Sequence, residues 1–169
     1  MKNRTKWILG LVALVAVAVF GTLYRGHAEP AFAAEHSANA LALADAPVIT
    51  VYKNPTCACC GEWAEHLQKS GFRVEMKEGA DLNAVKKQHG VTVDLASCHT
   101  AEVAGYVLEG HVPADVIRQL LAEKPAIRGL AVPGMPAGVE GMPAAGPNRA
   151  PYEIFAIEQG GGSRVYATR

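Results

Sequence analysis

Apolar and polar positions alternate along the chain in a way that marks out its elements one by one. Val48-Ile49-Thr50-Val51-Tyr52 is a β-branched and aromatic run ended by Asn54-Pro55, which predicts a buried strand. From about Cys60 to Ser70 the apolar positions Cys60, Trp63, Ala64 and Leu67 recur at helical spacing. Glu62, Glu65, His66 and Lys69 fall on the opposite face, and Gly71 supplies a stop. Phe72 to Met76 alternates and predicts a second strand, with Met76 on its apolar side. Asp81 then caps a short helix through His89, with Leu82 and Val85 facing inward and His89 at the cation-favouring end.

The second half is more broken. Val91 to Cys98 reads as a loop or irregular strand, and Val103 to Leu108 as a strand. Glu109 to Pro113 turns into a helix whose buried stripe is Val116, Ile117, Leu120 and Leu121, ended by Lys124-Pro125. Leu130-Ala131-Val132 is a short apolar run. Pro133 to Pro143 is a loop too rich in Gly and Pro for regular structure, and it contains Gly-Met-Pro twice. Tyr152 to Ile157 and Ser163 to Ala167 flank Gln159-Gly160-Gly161-Gly162 and predict a terminal hairpin. The order strand, helix, strand, helix, strand, helix, hairpin predicts an α/β fold. A cysteine motif between the first strand and first helix makes it thioredoxin-like: a central mixed sheet with flanking helices and a C-terminal hairpin.

The N-terminus follows other rules. Met1 to Lys6 is basic, and Trp7 to Tyr24 is an uncharged apolar run, the pattern of an export signal. Ala31-Phe32-Ala33 offers a cleavage site before Ala34. The apolar run is close to the minimum for a membrane-spanning helix, so a retained inner-membrane anchor is the alternative to the preferred cleaved signal. Either way the basic end stays inside and the remainder lies outside the cytoplasm. Residues 1–33 are thus signal or anchor, residues 34–47 an Ala-rich linker, and residues 48–169 the folded domain.

Charge excludes one class of partner. Lysines plus arginines number 16 and acidic residues 16; removing Lys2, Arg4, Lys6, Arg25 and Glu29 with the first 33 residues leaves 12 and 15, a net of −3. With no basic stripe, nucleic acid is not an expected partner.

The candidate chemistry lies in four cysteines. Cys57, Cys59 and Cys60 stand within four residues, and Cys98 lies apart. Cys57 and Cys60 form a C-x-x-C at a helix start, where unpaired N–H groups favour a thiolate. One reading is a thiol–disulfide oxidoreductase with Cys57 attacking and Cys60 resolving. It leaves Cys59 and Cys98 unused. A second is an exported structural domain with two disulfides. The third uses every sulfur: soft thiolates select copper(I), zinc or iron–sulfur, and thioethers suit copper(I). His99, His111, Met135 and Met142 are further donors at hand, although His99 also reads as a turn cap. The sequence assigns no catalytic residue.

Four ordered motifs carry a resemblance. They are Val51-Tyr52-Lys53-Asn54-Pro55-Thr56-Cys57-Ala58-Cys59-Cys60-Gly61-Glu62-Trp63, then Leu95-Ala96-Ser97-Cys98-His99-Thr100-Ala101, then Gly105 to Ala114, and Gly129-Leu130-Ala131-Val132-Pro133-Gly134-Met135-Pro136. Together they resemble the CopG-like copper-resistance proteins, long carried as a domain of unknown function. The likeness covers nearly all of Val48 to Tyr166. It implies a thioredoxin-like fold, a periplasmic location and a cysteine-bridged, multinuclear copper cluster. The implied metal ligands are Cys57, Cys59, Cys60, Cys98, His111, Met135 and Met142, and the implied partners are copper ions and other periplasmic copper-handling proteins. Glu140 stands where the family's second Gly-Met loop has proline.

Overall fold

In the computed structural model, residues 47–142 and 150–169 are described. The export segment, all but the last residue of the linker, and Pro143 of the second Gly-Met-Pro lie outside the described residues. Among those described, no helix is long and apolar enough to cross a membrane.

Seven strands form one mixed sheet in the order β2-β1-β3-β4-β5-β6-β7. β1 (Val48–Lys53) runs parallel to β2 (Arg73–Glu78) and antiparallel to β3 (His99–Val103). β4 (Tyr106–Glu109) is antiparallel to β3 and parallel to β5 (Ile127–Ala131). β6 (Glu153–Glu158) and β7 (Ser163–Thr168) complete the sheet as the expected hairpin. Three helices flank it: α1 (Ala58–Lys69), α2 (Leu82–Gln88) and α3 (Ala114–Glu123). The α/β, thioredoxin-like expectation holds, with the C-x-x-C after β1 at the start of α1.

Strand alternation decides the two faces. Ile49, Val51, Ala101, Leu108, Leu130 and Ile154 point to one side, where they meet Trp63 and Leu67 of α1 and Val116, Ile117 and Leu120 of α3. Each valine, leucine or isoleucine among them, fully removed from water, contributes about 1.5–3 kcal/mol. Val107, Ala131 and Ile157 point the other way and pack with Leu95. α2 lies on this second face: its Lys86 reaches Thr100, and His89 beside it pairs with Glu102 at 2.7 Å. His89 therefore meets a carboxylate as well as ending a helix.

Three expectations need correction. Val103 to Leu108 is not one strand but the turn of the β3–β4 hairpin, because Ala104 (φ 47°) and Gly105 (φ 84°) are both left-handed and reverse the chain. The sequence marks no element over residues 99–102, where most of β3 runs. Met76 does not pack in the core: it is 36% exposed on β2, an edge strand whose outer residues are mostly charged. α1 also begins two residues earlier than its apolar spacing suggests, with Cys57 as its N-cap.

Candidate metal centre

The loop joining β1 to α1 is held from below and within. Lys53, almost fully buried, donates to the carbonyls of Asn54 (3.1 Å) and Pro55 (3.3 Å), and pairs with Glu78 at 2.9 Å. The Asn54 side chain accepts from the Thr56 amide (3.1 Å) and hydroxyl (2.9 Å), closing a turn that Asn-Pro favours. Cys57 then caps α1 with no side-chain bond to the helix. The first-turn N–H groups and the helix dipole are left to act on the sulfurs.

The four sulfurs converge. Cys57, Cys59, Cys60 and Cys98 place their Sγ atoms within 4.8 Å of one another. Cys57 and Cys60 are joined as a disulfide, and Cys59 and Cys98 are free thiols. Cys59 Sγ stands 3.5 Å from Cys57 Sγ and 3.4 Å from Met135 Sδ. Met135 reaches it because the first Gly-Met-Pro loop docks on the segment before Cys98. Gly134 N–H donates to the Ala96 carbonyl (3.2 Å), Ser97 and Gly134 form a bridge, and the Ser97 hydroxyl donates to the Gly134 carbonyl.

A second donor group shares Cys98. Its sulfur lies 3.4 Å from His99 Nδ1, and Cys98, His99 and His111 offer ligand atoms within 4.8 Å of one another. Both imidazoles are buried, and Trp63 stacks against them with ring centroids 4.3 Å from His99 and 6.2 Å from His111. The Trp63 indole N–H donates to the Val112 carbonyl at 3.0 Å, locking the ring. His111 Nδ1 bonds the Glu140 carbonyl at 2.6 Å, which makes Nδ1 the donor and leaves Nε2 with its lone pair. The Nε2 atoms of His99 and His111 are both buried without a hydrogen-bond partner among the described residues. Unpaired buried ring nitrogens are costly, and a metal ion is one group that satisfies them.

Burial pushes the His99 pKa well down, with His111 and Lys86 adding to it, and burial lowers His111 too, so both rings are neutral and able to ligate. Burial and then the neighbouring Cys59 push the Cys98 thiol up to about 11.

A buried ion pair braces this strand from the opposite face. Glu109 is fully buried and accepts from the Ser97 amide (2.6 Å), the Thr100 hydroxyl (2.7 Å) and the Lys86 ammonium. Burial raises its pKa, and Lys86, Thr100 and Ser97 oppose the rise. Gly110, next along, lets the strands close on one another: a Cβ there would stand 2.5 Å from the Val132 carbonyl oxygen and 2.6 Å from Ser97 Oγ, at φ +70°.

Of the residues singled out in the sequence, Cys57, Cys59, Cys60, Cys98 and Met135 come together, and His111 joins through Cys98. Met142 is placed differently: it packs against the hydrophobic core and, with Gly141, lines a surface groove beside Glu62, His66 and Lys69. His99 is fully buried in β3 rather than capping a turn. Its signal was the alternation His99, Ala101, Val103, all facing the core. Glu109 left no signal in a segment that reads as a turn. Glu140 is integrated, its carbonyl on His111 and its carboxylate accepting from the Tyr152 hydroxyl at 3.3 Å.

The same arrangement has counterparts. A family described as a protein of unknown function, DUF411, matches residues 95–142. Two solved structures of copper resistance protein CopG, forms 1 and 2, are each 38% identical to this chain with a TM-score of 0.69. They cover 74% of this chain, and the match takes in 98% and 99% of theirs. The chain belongs to the CopG family. The stretch that matches the family of unknown function holds Cys98, His99, Glu109, His111 and Met135, so it carries every donor outside the Cys57–Cys60 loop. The disulfide-bearing turn and the Cys98 segment are two separate sequence motifs brought to one end of one sheet. No curated protein sequence matches the chain.

Proposed function

We propose that this chain is an exported, periplasmic copper-binding protein of copper resistance, holding copper ions through the sulfurs of Cys57, Cys59, Cys60 and Cys98. The observation that carries the reading is the donor set itself: four cysteine sulfurs within 4.8 Å, with the Met135 thioether 3.4 Å from one of them. Thiolate plus thioether is a copper(I) set, whereas zinc makes little use of thioether. The name borne by its CopG relatives, copper resistance protein, supports it.

Copper is cargo here. Reduction of the Cys57–Cys60 disulfide supplies two more thiolates, which the α1 N-terminus stabilises. Thiolates at this spacing bridge ions into a multinuclear cluster, and His111, His99 and Met135 complete the coordination, with Met142 a candidate from the second Gly-Met loop. Copper(I)/copper(II) interconversion is part of the reading, as is exchange with other periplasmic copper-handling proteins. The test is metal analysis of protein purified anaerobically from copper-fed cells. Copper should co-purify, and Cys59→Ser or Cys98→Ser should each lower the ratio; an apo protein indifferent to both changes would sink the reading.

A second reading rests on the Cys57–Cys60 disulfide: a thioredoxin-like oxidoreductase. It predicts insulin-reduction turnover that survives Cys98→Ser. The copper reading predicts little turnover.

A further inference from the structure

Met142 has polar company of its own on the outer face of α1. The groove it lines is shared with Glu62, His66, Lys69 and Gly141. Glu62 and His66 are an i, i+4 pair on α1, so they share one side of the helix with Cβ atoms about 5–6 Å apart. A close backbone approach brings the thioether to that side. Gly141 sits against the nitrogen of Trp63, the residue after Glu62, where any Cβ would stand 2.4 Å away. The Met142 N–H donates to the Val139 carbonyl at 2.9 Å and closes the turn behind it. His66 and Met142 are both half-buried, so their donor atoms are held in place. The Lys69 ammonium pairs with Glu65 at 3.4 Å, a residue outside the groove lining. An imidazole, a thioether and a carboxylate therefore line one opening. Imidazole serves zinc and copper alike, whereas thioether suits copper(I). The set as a whole fits monovalent copper, with a negative charge beside it to offset the cation.

We propose that His66 and Met142, with Glu62 supplying the counter-charge, form an outer copper(I) site, separate from the cysteine centre, through which that centre is filled. The proposal rests on the copper reading above, adds a point of uptake to it, and assigns Met142 to the groove rather than to the cluster. One loop serves both places. Glu140, just before Gly141, has its carbonyl on His111 Nδ1 at 2.6 Å, and His111 shares the inner donor group with Cys98. The transfer is a ligand exchange and no electron moves: copper(I) gives up the imidazole and thioether and takes thiolate sulfurs in their place, any thiol proton going to solvent. It passes from neutral donors to anionic ones, so the attraction for the ion rises inward.

The test is a copper(I) titration of reduced, oxygen-free protein, read by NMR of the Met142 methyl and the His66 ring, with a copper(I) chelator competing to rank the sites. The cysteine centre should fill first, and the Met142 and His66 signals should then move together with one further equivalent. His66→Gln and Met142→Leu should each weaken that last equivalent at least about tenfold. Met142→Leu keeps an apolar side chain against the core, so the fold is retained. His66→Gln should also leave the capacity of the cysteine centre unchanged while slowing its filling from chelated copper(I). Met142 and His66 signals that stay in place once the cysteine centre is full, or a His66→Gln protein that fills at the parent rate, would overturn this inference alone. A protein whose cysteines take no copper(I) removes the copper-holding reading, and this inference with it.

Discussion

Gly141 lies directly against the backbone of Trp63: a Cβ on Gly141 would stand 2.4 Å from the Trp63 nitrogen, at φ +79°. The loop that carries Glu140 is thereby seated on the first turns of α1, and the Glu140 carbonyl is brought to His111. Gly141→Ala should displace that loop. Strain and overpacking together should cost about 1–3 kcal/mol in a urea unfolding measurement. Copper(I) affinity, measured by competition with a chelator, should fall as well, because His111 loses the carbonyl that fixes its tautomer.

Met135 is nearly half exposed, so its packing contribution is small while its sulfur faces Cys59. Met135→Leu should leave stability within about 0.5 kcal/mol of the parent. It should weaken copper(I) binding and leave zinc binding unchanged, since only the soft ion uses the thioether. Isothermal titration with each metal reads both.

The Lys86–Glu109 pair is buried, and its carboxylate holds the Ser97 amide next to Cys98. Glu109→Leu should cost about 3–5 kcal/mol because it leaves the ammonium and the amide without their acceptor. Lys86→Met with Glu109→Leu should cost clearly less than the two single changes added together. A double-mutant cycle by urea denaturation measures the difference.

Acid should destabilise the metal-free protein. The His99 and His111 pKa values are lowered in the fold, so the unfolded chain takes up their protons first as pH falls below about 6.5. Their contribution is therefore complete above that value and lost on acidification. Glu109 acts oppositely, since its raised pKa makes the folded state the better proton acceptor below neutrality, and it offsets part of the loss. His99→Gln should flatten the slope by up to about 1.4 kcal/mol per pH unit, one proton's worth. Urea midpoints across pH 5 to pH 8, an interval of about three units chosen to bracket the imidazole range, check this.

The parts legible in the sequence were those with a strong local period. The α1 stripe of Cys60, Trp63, Ala64 and Leu67, the Asp81 cap, and the Gly-rich hairpin turn all have causes within a few residues, and the structure shows each. Asp81 accepts from the Asn83 and Ala84 amides as a capping residue should. The β3–β4 hairpin was missed because Val103-Ala104-Gly105-Tyr106 is apolar throughout, and nothing but Ala-Gly marks the reversal. Met76 alternates correctly, but β2 is the sheet edge, and sheet order is not written in a strand's own residues.

For the site, the cysteines were plain. Their meeting with His99 and Glu109 was not, because it depends on pairing between β1, β3 and β4, at sequence separations no short window spans. His99 and Glu109 sit on opposite faces of the sheet, one aimed at the sulfurs and the other bracing them from behind.

Cys98 belongs to both donor groups at once. An ion bound among the loop sulfurs and an ion bound between the imidazoles would each draw on the same lone pairs. Occupancy on one side must then alter affinity on the other, and by thermodynamic reciprocity the influence is equal in both directions. Cys98→Ser would therefore do more than remove one ligand: it would leave two half-sites that fill independently, and a binding curve stripped of whatever cooperativity the native protein shows.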